Sequence, residues 1–569
     1  MNTQPLRLAI AQCNPIVGDL KGNSHIIRTI AEQNRDADLI VYSECVLTGY
    51  PLEDLVLRPA FLTSVRHEID ELAKFVRALA GPALLIGAPT PGANLPFNSA
   101  LLIRTDGSIT TTHKVELPNN DVFDEVRTFA QGPENVRPMP FKGFNLGVMI
   151  CEDMWHNRVS RRLSGELADL LIVLNGSPFE RFKQATRIAH ARRRVGETCL
   201  PLVYVNQVGG TDEICFDGAS FALSRAGSVI AQIPFEERVI RLLATRQADG
   251  HVDIEPEKDA LASHVQYPDD LEAIYRACCL GLGDYMRKNA ISRALVGESG
   301  GLDSALVSAM LVDALGPNAL IGVSMPSDYT SKLSLDLAED LCRRLEARLV
   351  TVPISKPCAV LSDGLDTTLS TFDGINPRGI SIMRENLQAR TRANILLDLA
   401  NALGAIVLAT GNKSEGSVGN STYGGDTSGG FNPLKDLYKT IVFALARWRN
   451  ENRPDWVLGP VSPIPVGIIE RPPSAELMHD QTDESLFGSY DTLDTVLELL
   501  IEDLLDPEAA AQAASRQLEK PVGVEYARDI ALRVRNSEFK RRQAPPGVKI
   551  TRRAFGKGWR YPITNHARF

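Results

Sequence analysis

The stretch Ser-Gly-Gly-Leu-Asp-Ser at residues 299–304 decides the fold class of the second half of this chain. It follows a short apolar run at 294–297 and precedes an apolar stretch at 305–312, an order that predicts a strand, a tight turn and a helix. Glycines let the backbone approach a ligand closely, and the first helical turn offers unpaired N–H groups to an anion. The loop therefore suits a pyrophosphate, with Asp303 able to face a metal ion, although it lacks the lysine of a Walker A loop.

Composition and charge exclude several classes of protein. The chain has 569 residues, of which 44% are hydrophobic and 23% charged, and this indicates a globular protein of two or more domains. A net charge of −9 argues against a general nucleic-acid or membrane-surface binder, and no apolar run is long enough to span a bilayer. The first residues lack the pattern of a signal peptide, and the nine cysteines show no Cys-x-x-Cys spacing. We therefore expect a cytoplasmic protein with reduced thiols and with neither nucleic acid nor a membrane as partner.

Apolar runs and one polar stretch predict two α/β domains. Short β runs alternate with helical stretches from residue 6 to about 245, and several of these runs are continuously apolar, as in strands buried on both faces. The polar, proline-containing stretch 246–269 is typical of a linker. The predicted domains are therefore residues 1–245 and residues 270–569.

The second domain shows strands that alternate with helices, which predicts a doubly wound parallel sheet. Its candidate strands lie at 294–297, 320–325, 349–353 and 406–409. A ligand of such a sheet binds at the carboxyl ends of the strands, where the glycine loop lies. Residues 411–434 are rich in glycine and small polar residues, and we predict that they form a mobile active-site loop.

Three chemically complementary side chains follow predicted strands in the first domain. Cys151 ends an apolar run, and Glu44 and Lys114 each follow another β run. A thiol at a strand end can attack an electrophile, a glutamate can take up and return its proton, and a lysine can stabilise the developing oxyanion. Each of these residue types alone is more often structural or solvated. The prediction of an amidase site therefore depends on all three occurring together.

The motifs around these residues resemble the nitrilase, or carbon–nitrogen hydrolase, family, whose triad is Glu-Lys-Cys. The matching stretches cover residues 5–245 and include Gly49-Tyr50-Pro51, Leu117-Pro118-Asn119 and Ile150-Cys151-Glu152-Asp153. The resemblance implies an αββα sandwich. It also implies a role for each matched residue: Glu44 as general base, Lys114 as oxyanion support, Cys151 as nucleophile, Glu125 as supporting glutamate, and Asn120, Ser177 and Lys183 at positions that hold substrate glutamine.

Both halves together resemble the glutamine-dependent NAD synthetase family, in the same order along the chain. The glycine loop resembles the pyrophosphate loop of ATP-pyrophosphatases, and further matching motifs lie at 325–331, 385–392, 410–415, 429–440, 472–477 and 538–547. The resemblance implies a Rossmann-like doubly wound parallel sheet of the adenine nucleotide alpha-hydrolase type. It implies a reaction in which deamido-NAD, ATP and glutamine give NAD, AMP, pyrophosphate and glutamate, with ammonia passing from the first site to the second.

The same resemblance assigns the binding residues of the second domain. It implies ATP binding by Gly297, Ser299, Gly300, Gly301, Asp303, Ser304 and Thr410. It implies deamido-NAD binding by Asn386, Glu415 and Lys540, and Mg²⁺ near Asp303 and Glu415. Arg390 and Arg392 are candidates for phosphate contact because a forked guanidinium suits a phosphate. Family members are oligomers, so we expect a homodimer or a larger homo-oligomer.

Several positions depart from the family pattern and leave alternatives open. Glu298 stands where an apolar residue precedes the loop serine, and a carboxylate there should repel pyrophosphate unless it turns away or meets a cation. Asn120 replaces a tyrosine, and residues 416–427 are the most altered stretch. The main hypothesis is an active glutamine-dependent NAD synthetase. The alternatives are an adenylating amidotransferase with another acceptor, and a catalytically weakened or regulatory relative.

Overall fold

The computed structural model describes residues 4–257, 264–472, 487–565 and 567. The chain separates into a unit of residues 1–273 and a unit of residues 274–569. Among the residues that the structure describes, no helix is long and apolar enough to cross a membrane. The nine cysteines are all free thiols, as their spacing predicts.

The first unit is built on two β-sheets that face each other, as expected for an αββα sandwich. One sheet has the strand order β14-β13-β1-β2-β3-β4-β5, and the other has the order β10-β11-β9-β8-β7-β6 with β12 paired to β11. The strands are β1 (Leu6–Gln12), β2 (Leu39–Val41), β3 (Ala83–Thr90), β4 (Phe97–Ile103), β5 (Ile109–His113), β6 (Met139–Phe141), β7 (Phe144–Ile150), β8 (Leu170–Asn175), β9 (Leu202–Asn206), β10 (Val208–Thr211), β11 (Ile214–Leu223), β12 (Val229–Pro234), β13 (Arg238–Arg246) and β14 (Val252–Pro256).

Strand β1 shows how the sandwich buries both faces of a sheet. Leu8 and Ile10 point into the core between the sheets, where they join side chains of β7 such as Val148. Ala9 and Ala11 point to the other face, into a core that includes the helix residue Leu72. Side chains alternate across a strand, so a continuously apolar strand fills both cores. The flanking helices are α1 (Leu20–Gln33), α2 (Pro59–Leu79), α3 (Glu125–Thr128), α4 (Arg158–Gly165) and α5 (Lys183–Thr198).

The stretch 246–269, predicted as a linker, contributes a strand to the first unit. Strand β14 pairs antiparallel with β13 at the edge of the sheet, and Val252 and Ile254 are buried there. Residues 258–263 lie outside the described residues, and the domain boundaries themselves stay a prediction. The reason for the difference is that an edge strand tolerates polar residues on its solvent side, so it lacks a continuous apolar run.

The second unit contains the predicted doubly wound parallel sheet. Its strands are β15 (Ala294–Gly297), β16 (Leu320–Ser324), β17 (Arg348–Thr351) and β18 (Ile406–Leu408), in the order β17-β16-β15-β18 with every pair parallel. The first crossovers extend this sheet in one direction from β15, and the last returns to its other side. This reversal of order beside β15 creates a crevice at the carboxyl ends of the strands.

Helices cover this sheet and build a further core of their own. They are α6 (Asp270–Lys288), α7 (Leu302–Leu315), α8 (Lys332–Arg344), α9 (Ser355–Leu369), α10 (Pro377–Leu403), α11 (Lys413–Val418), α12 (Lys439–Glu451), α13 (Val466–Glu470), α14 (Tyr490–Ile501), α15 (Pro507–Gln517), α16 (Val524–Asn536) and α17 (Glu538–Arg541). Helices α14 to α16 pack into a mainly helical cluster that includes Val496, Ala510 and Ile530. Residues 473–477 of the predicted motif 472–477 lie outside the described residues.

The segment 411–434 differs from its prediction as a loop, because it holds the short helix α11. Asn412 and Glu415 form a capping box: the Asn412 side chain accepts from the Glu415 N–H, and the Glu415 side chain accepts from the Asn412 N–H. Such reciprocal bonds satisfy backbone donors at a helix start and stabilise even a short helix. Asn412 and Glu415 have the spacing of a capping box in the sequence, but the glycines and small polar residues around them indicated a loop.

Candidate active sites

The candidate nucleophile Cys151 lies where strand β7 ends. It begins a short 3₁₀ turn, Cys151–Met154, and its φ of +45° is uncommon for a residue with a side chain. The residue is 3% exposed, so the thiol is almost enclosed. Burial, followed by the nearby charge of Glu44, raises the pKa of the Cys151 thiol well above its usual value. The sulfur therefore carries a proton in the resting state and needs a base to become a nucleophile.

Glu44, Lys114 and Glu125 come together as a buried cluster of charges. The Lys114 Nζ lies 2.7 Å from Glu44 Oε1 and 2.7 Å from Glu125 Oε2. Burial favours a neutral amine, but the charges of Glu125 and Glu44 prevail and raise the pKa of Lys114 well above its usual value. Because the lysine stays cationic, it can stabilise a negative charge that develops beside it.

Three neighbours to which the sequence analysis gave no role donate hydrogen bonds to these carboxylates. The Asn98 side-chain amide donates to Glu44 Oε1 at 2.7 Å and to Glu125 Oε1 at 3.3 Å. The Tyr50 hydroxyl donates to Glu125 Oε1 at 2.9 Å, and the Gly176 N–H donates to Glu44 Oε2 at 2.8 Å. Asn98 lies within strand β4 and carries no local motif, so only the fold brings it to the site. Tyr50 stands in the quoted Gly49-Tyr50-Pro51 motif, which was the available signal.

Asp153 connects the nucleophile turn to the end of the lysine strand. One carboxylate oxygen accepts the Ile150 N–H at 3.0 Å, and the other accepts the N–H groups of Val115 and Glu116 at 3.0 and 2.8 Å. Burial raises the pKa of Asp153 to about 7, and these three donors oppose that rise. Asp153 therefore fixes the backbone on both sides of the site, immediately before Cys151 and immediately after Lys114.

The structure places the three predicted glutamine-binding residues in different surroundings. Ser177 is buried, and its hydroxyl accepts from Arg187 Nε at 3.1 Å. The fully buried Arg187 also pairs with Asp217 at 2.8 Å, so it holds the Ser177 segment firmly. Lys183 begins helix α5 and is half-buried, whereas Asn120 is exposed in the segment between β5 and α3. Their roles stay predictions.

The second site is a cavity of about 510 Å³ at the carboxyl ends of the parallel strands. It brings together predicted residues that are far apart in the sequence: Gly297, Ser299, Gly301, Asp303, Ser304, Asn386, Thr410, Glu415 and Lys540. Arg392 also borders the cavity. The size lies within the range of small-molecule and cofactor sites, and its position is the one that the strand order predicts.

The glycine loop adopts a shape that leads directly into helix α7. At Gly300 φ is +74°, and a Cβ atom there would lie 2.3 Å from the Ser334 carbonyl oxygen, so the position requires glycine. The Gly301 N–H donates to Ser299 Oγ at 3.2 Å, and Ser304 Oγ donates to the Gly301 carbonyl oxygen at 3.1 Å. The loop and the start of α7 thus present hydroxyl groups and backbone N–H groups to an anion.

Asp303 and Glu415 share one cation, Lys439, which the sequence analysis quoted within a motif without a role. Lys439 Nζ forms an ion pair with Asp303 Oδ2 and lies 3.8 Å from Glu415 Oε1. The Asn412 amide also donates to Asp303 Oδ1 at 3.1 Å. Mg²⁺ in nucleotide sites commonly takes one or two carboxylates together with phosphate oxygens. Asp303 and Glu415 fit that donor set, and no larger cluster of metal-binding side chains occurs among the described residues.

The altered segment 416–427 is held by two residues predicted to bind deamido-NAD, Asn386 and Lys540, and by Arg390, a candidate for phosphate contact. Lys540 Nζ donates to the carbonyl oxygens of Gly419 and Ser421, both at 2.7 Å. Asn386 Oδ1 accepts from the Thr422 hydroxyl at 2.8 Å, and Arg390 Nε donates to the Tyr423 carbonyl oxygen at 3.1 Å. These bonds hold the segment beside the cavity without a ligand.

Glu298 borders the cavity, but its carboxyl turns into the protein toward helix α7. The residue is 3% exposed, and the Ser308 hydroxyl donates to its Oε1. Burial raises the pKa of Glu298 to about 8, and the hydrogen bond that Ser308 donates only partly opposes this rise. The carboxyl therefore avoids repulsion with pyrophosphate by turning away and by being neutral near pH 7, without a cation.

Comparison with known proteins matches a family to each of two parts of the chain. The sequence matches the carbon-nitrogen hydrolase family over residues 7–248 and the NAD synthase family over residues 274–544. It is 42% identical to the glutamine-dependent NAD(+) synthetase of Rhodobacter capsulatus, across 100% of this chain and 99% of that protein.

Solved structures give the same result at the level of the whole chain. The glutamine-dependent NAD+ synthetase of Acinetobacter baumannii, solved in complex with adenosine diphosphate, is 32% identical with a TM-score of 0.74 over 99% of each chain. The enzyme from Cytophaga hutchinsonii is 20% identical with a TM-score of 0.80 over 99% of this chain and 98% of that one, and it shows the shared fold. The chain belongs to the glutamine-dependent NAD(+) synthetase family.

Proposed function

We propose that this protein makes NAD from deamido-NAD, with ATP as the activating substrate and glutamine as the source of nitrogen. The observation that carries the proposal is the presence in one chain of two candidate sites of different chemistry. One is the buried Glu44–Lys114–Cys151 site, and the other is the cavity around the 299–304 loop. Full-length similarity to glutamine-dependent NAD(+) synthetases supports the same conclusion.

The first site would hydrolyse glutamine through a thioester. Glu44 takes the Cys151 proton, and the sulfur attacks the carboxamide carbon while Lys114 stabilises the negative oxygen. Glu44 then returns the proton to the leaving nitrogen, which departs as ammonia. Water, deprotonated by Glu44, attacks the thioester to release glutamate and regenerate the thiol. Because the pKa of the Cys151 thiol is raised, these reaction steps require a base beside the thiol.

The second site would activate a carboxylate that is otherwise a poor acyl electrophile. The nicotinate carboxylate attacks the α-phosphorus of ATP, and pyrophosphate leaves into the loop formed by Ser299, Gly300, Gly301 and Ser304. Ammonia then attacks the acyl carbon and AMP departs. Bound at Asp303 and Glu415 together with the phosphates, Mg²⁺ would neutralise phosphate charge. Lys439 pairs with Asp303, lies near Glu415 and borders the cavity, so its positive charge would also favour the binding of phosphate there.

The test compares glutamine with ammonium as nitrogen donor in wild type and in Cys151→Ala. We expect glutamine-driven NAD formation to be lost in the variant, while ammonium-driven formation is kept. Cys278→Ala, which removes a buried thiol in α6, is the matched control and should keep both activities. Absence of NAD from either donor in wild type would reject the proposal and favour a weakened or regulatory relative. Amidation of a different acceptor would favour another adenylating amidotransferase.

The proposal extends to assembly and location. Helix α9 buries none of its residues in the single chain, and Val360 is 72% exposed on it. Exposed apolar side chains on a helix that buries none of its residues are characteristic of subunit contacts. This supports a homodimer or larger homo-oligomer. Free thiols, acidic charge and small-molecule substrates support the cytoplasm as its location.

A further inference from the structure

The segment 265–269, which immediately precedes helix α6, carries a tyrosine that the proposed mechanism does not use. The Tyr267 hydroxyl donates to Asp217 Oδ2 at 2.8 Å, and Asp217 is only 1% exposed. Burial, followed by the charge of Asp217, raises the pKa of Tyr267 well above its usual value. The hydroxyl therefore keeps its proton and acts on the buried carboxylate as a permanent donor.

The same carboxylate holds Arg187, which in turn holds the glutamine segment, residues 177–183, where two residues are predicted to bind glutamine. Arg187 Nη1 donates to Asp217 Oδ1 at 2.9 Å and to Oδ2 at 2.8 Å. Arg187 Nε donates to Ser177 Oγ at 3.1 Å, and Nη2 donates to the carbonyl oxygens of Ser177 and Pro178 at 2.9 and 2.7 Å. All three guanidinium nitrogens have partners, so the planar group is fixed in orientation. Hydrogen bonds therefore run without a break from Tyr267 to Ser177.

Ring packing and an ion pair fasten the glutamine segment to the residues around the start of α6 as well. The Tyr267 ring centroid lies 6.0 Å from that of Phe235, which lies 5.9 Å from that of Phe179. Arg181 pairs with Asp270, the first residue of α6, at 2.7 Å. The position of Tyr267 is thus fixed by its ring, and its hydroxyl supplies only the bond to the carboxylate.

Ser177 lies beside the proposed catalytic base. It directly follows Gly176, whose N–H donates to Glu44 Oε2 at 2.8 Å. Lys114 and Asn98 also donate to Glu44, both to Oε1 at 2.7 Å. Because three donors hold the base, a small shift of the Ser177 side chain should alter the binding of glutamine more than the rate of the chemical step.

We propose that Tyr267 is a positioning residue for the substrate glutamine and acts on Ser177 through these hydrogen bonds. Without the Tyr267 hydroxyl, the buried Asp217 carboxylate loses a donor and orients Arg187 less firmly. The polar groups of Ser177 then lose part of their fixed geometry, which lowers the affinity for glutamine. This inference rests on the proposed function of the first site, and it adds to that site a residue from the stretch 246–269 that was predicted as a linker.

The test measures NAD formation by Tyr267→Phe and by the wild type over a range of glutamine concentrations. The variant keeps the ring and its packing against Phe235 but lacks the donor. A hydrogen bond to a buried charged group corresponds to about tenfold or more in an equilibrium constant, and this one acts indirectly, so we expect KM for glutamine to rise about three- to tenfold. The value of kcat should stay within about twofold, and NAD formation from ammonium should be unchanged.

Tyr526→Phe is the matched control. Tyr526 is also half-buried, and its hydroxyl also donates at 2.8 Å, to the Phe487 carbonyl oxygen. It lies on helix α16 of the second unit, so its replacement should leave KM for glutamine unchanged. An equal rise of KM in both variants would overturn the inference, and so would an unchanged KM in Tyr267→Phe or an equal loss with glutamine and with ammonium.

A double-variant cycle tests the route through Ser177. Ser177→Ala alone should raise KM for glutamine, and adding Tyr267→Phe should give less than the product of the two single effects, because both changes act on the same contact. Effects that multiply would contradict this route. Absence of glutamine-driven NAD formation in the wild type would reject the proposed function as well, whereas wild-type turnover with an unchanged KM in Tyr267→Phe rejects this inference alone.

Discussion

Single residues show how buried charges are stabilised at the first site. Lys114 lies between two glutamates whose remaining oxygens are held by Asn98, Tyr50 and a backbone N–H, so the cluster keeps its charges in place. The reacting groups could be proposed from the sequence because amidase chemistry requires a thiol, a carboxylate and an amine, and residues of these types follow predicted strands. Asn98 could not be predicted, because its position depends on the neighbouring strand and not on its own sequence context.

Asp153 gives the sharpest single-residue prediction. In Asp153→Asn, one acceptor oxygen is replaced by an NH₂ group that faces a backbone N–H, so the turn at Cys151 and the strand end at Lys114 lose their common support. A misplacement of about 1 Å costs on the order of 10²-fold in rate, and we expect glutamine-driven NAD formation to fall by about that factor. Ammonium-driven formation should be unchanged, as measured by NAD production with each donor.

Asp106→Asn is the matched control for this substitution. Asp106 also accepts a backbone N–H, that of Ser108 at 2.8 Å, but it lies in an exposed turn. Its replacement should leave both activities unchanged. An equal loss with glutamine and with ammonium in Asp153→Asn would show a general folding defect and contradict a local role for Asp153.

Glu298 should also make the stability of the second unit depend on pH. The native state keeps this proton up to about pH 8, whereas the unfolded chain releases it near pH 4.5. The native state therefore binds more protons in this interval, and the free energy of unfolding falls as pH rises through it. Glu298→Met removes both this dependence and a buried unsatisfied oxygen, and it should stabilise by about 1–3 kcal/mol near pH 8.

Thermal unfolding of wild type and Glu298→Met at about pH 6 and about pH 8.5 checks this expectation. The advantage of the variant should grow with pH. A constant difference between the two proteins at both pH values would mean that Glu298 does not titrate in this range.

Secondary-structure elements show where patterns in the sequence succeed and where they fail. The strand predicted at 294–297 coincides with β15, because a short, continuously apolar run suits a strand that is buried on both faces. Helix α11 was missed because a six-residue helix shows no periodicity, and its stability comes from the Asn412–Glu415 cap and from tertiary bonds. Strand β14 was missed because an edge strand requires only one buried face.

The first residue of α11 should contribute strongly to the stability of the second unit. Lys413 is fully buried, and its Nζ donates to Asp436 at 2.7 Å, Glu502 at 2.6 Å and Thr551 Oγ1 at 2.6 Å. Lys413→Met leaves two carboxylates without their cation, which costs about 3–5 kcal/mol in comparable buried pairs. We expect a large drop in the melting temperature of the second unit, measured by calorimetry.

Lys332→Met is the matched control, because Lys332 is also the first residue of a helix, α8, but is exposed. Its melting temperature should stay close to that of the wild type. Adding Asp436→Asn to Lys413→Met should recover part of the lost stability, and a further loss of the same size would contradict the charge argument.

At the scale of the whole molecule, the order of the two sites along the chain could be predicted from the sequence, but the arrangement of subunits could not. Each unit contains its own apolar core, and the motifs of each site lie within one unit. Motif order therefore predicted both folds and the family. The subunit arrangement depends on surface shape, for which neither periodicity nor motifs give a signal.

Helix α9 offers a test of assembly. If α9 forms a contact between subunits, Val360→Lys should shift the mass measured by light scattering from a multiple of the chain toward the single chain. Leu532→Lys, which changes a 45% exposed leucine on α16, is the control and should keep the assembly. A wild-type protein that is monomeric at all concentrations would contradict the proposed oligomer.

Gly300 has a consequence at the level of the gene. Third-base changes in a glycine codon are silent, whereas every amino acid that a change in the first or second base can introduce carries a Cβ atom. At this position that atom would lie 2.3 Å from the Ser334 carbonyl oxygen, on a backbone with φ of +74°. In a library of all single-base variants grown under selection for NAD synthesis, codon 300 should therefore retain synonymous changes alone.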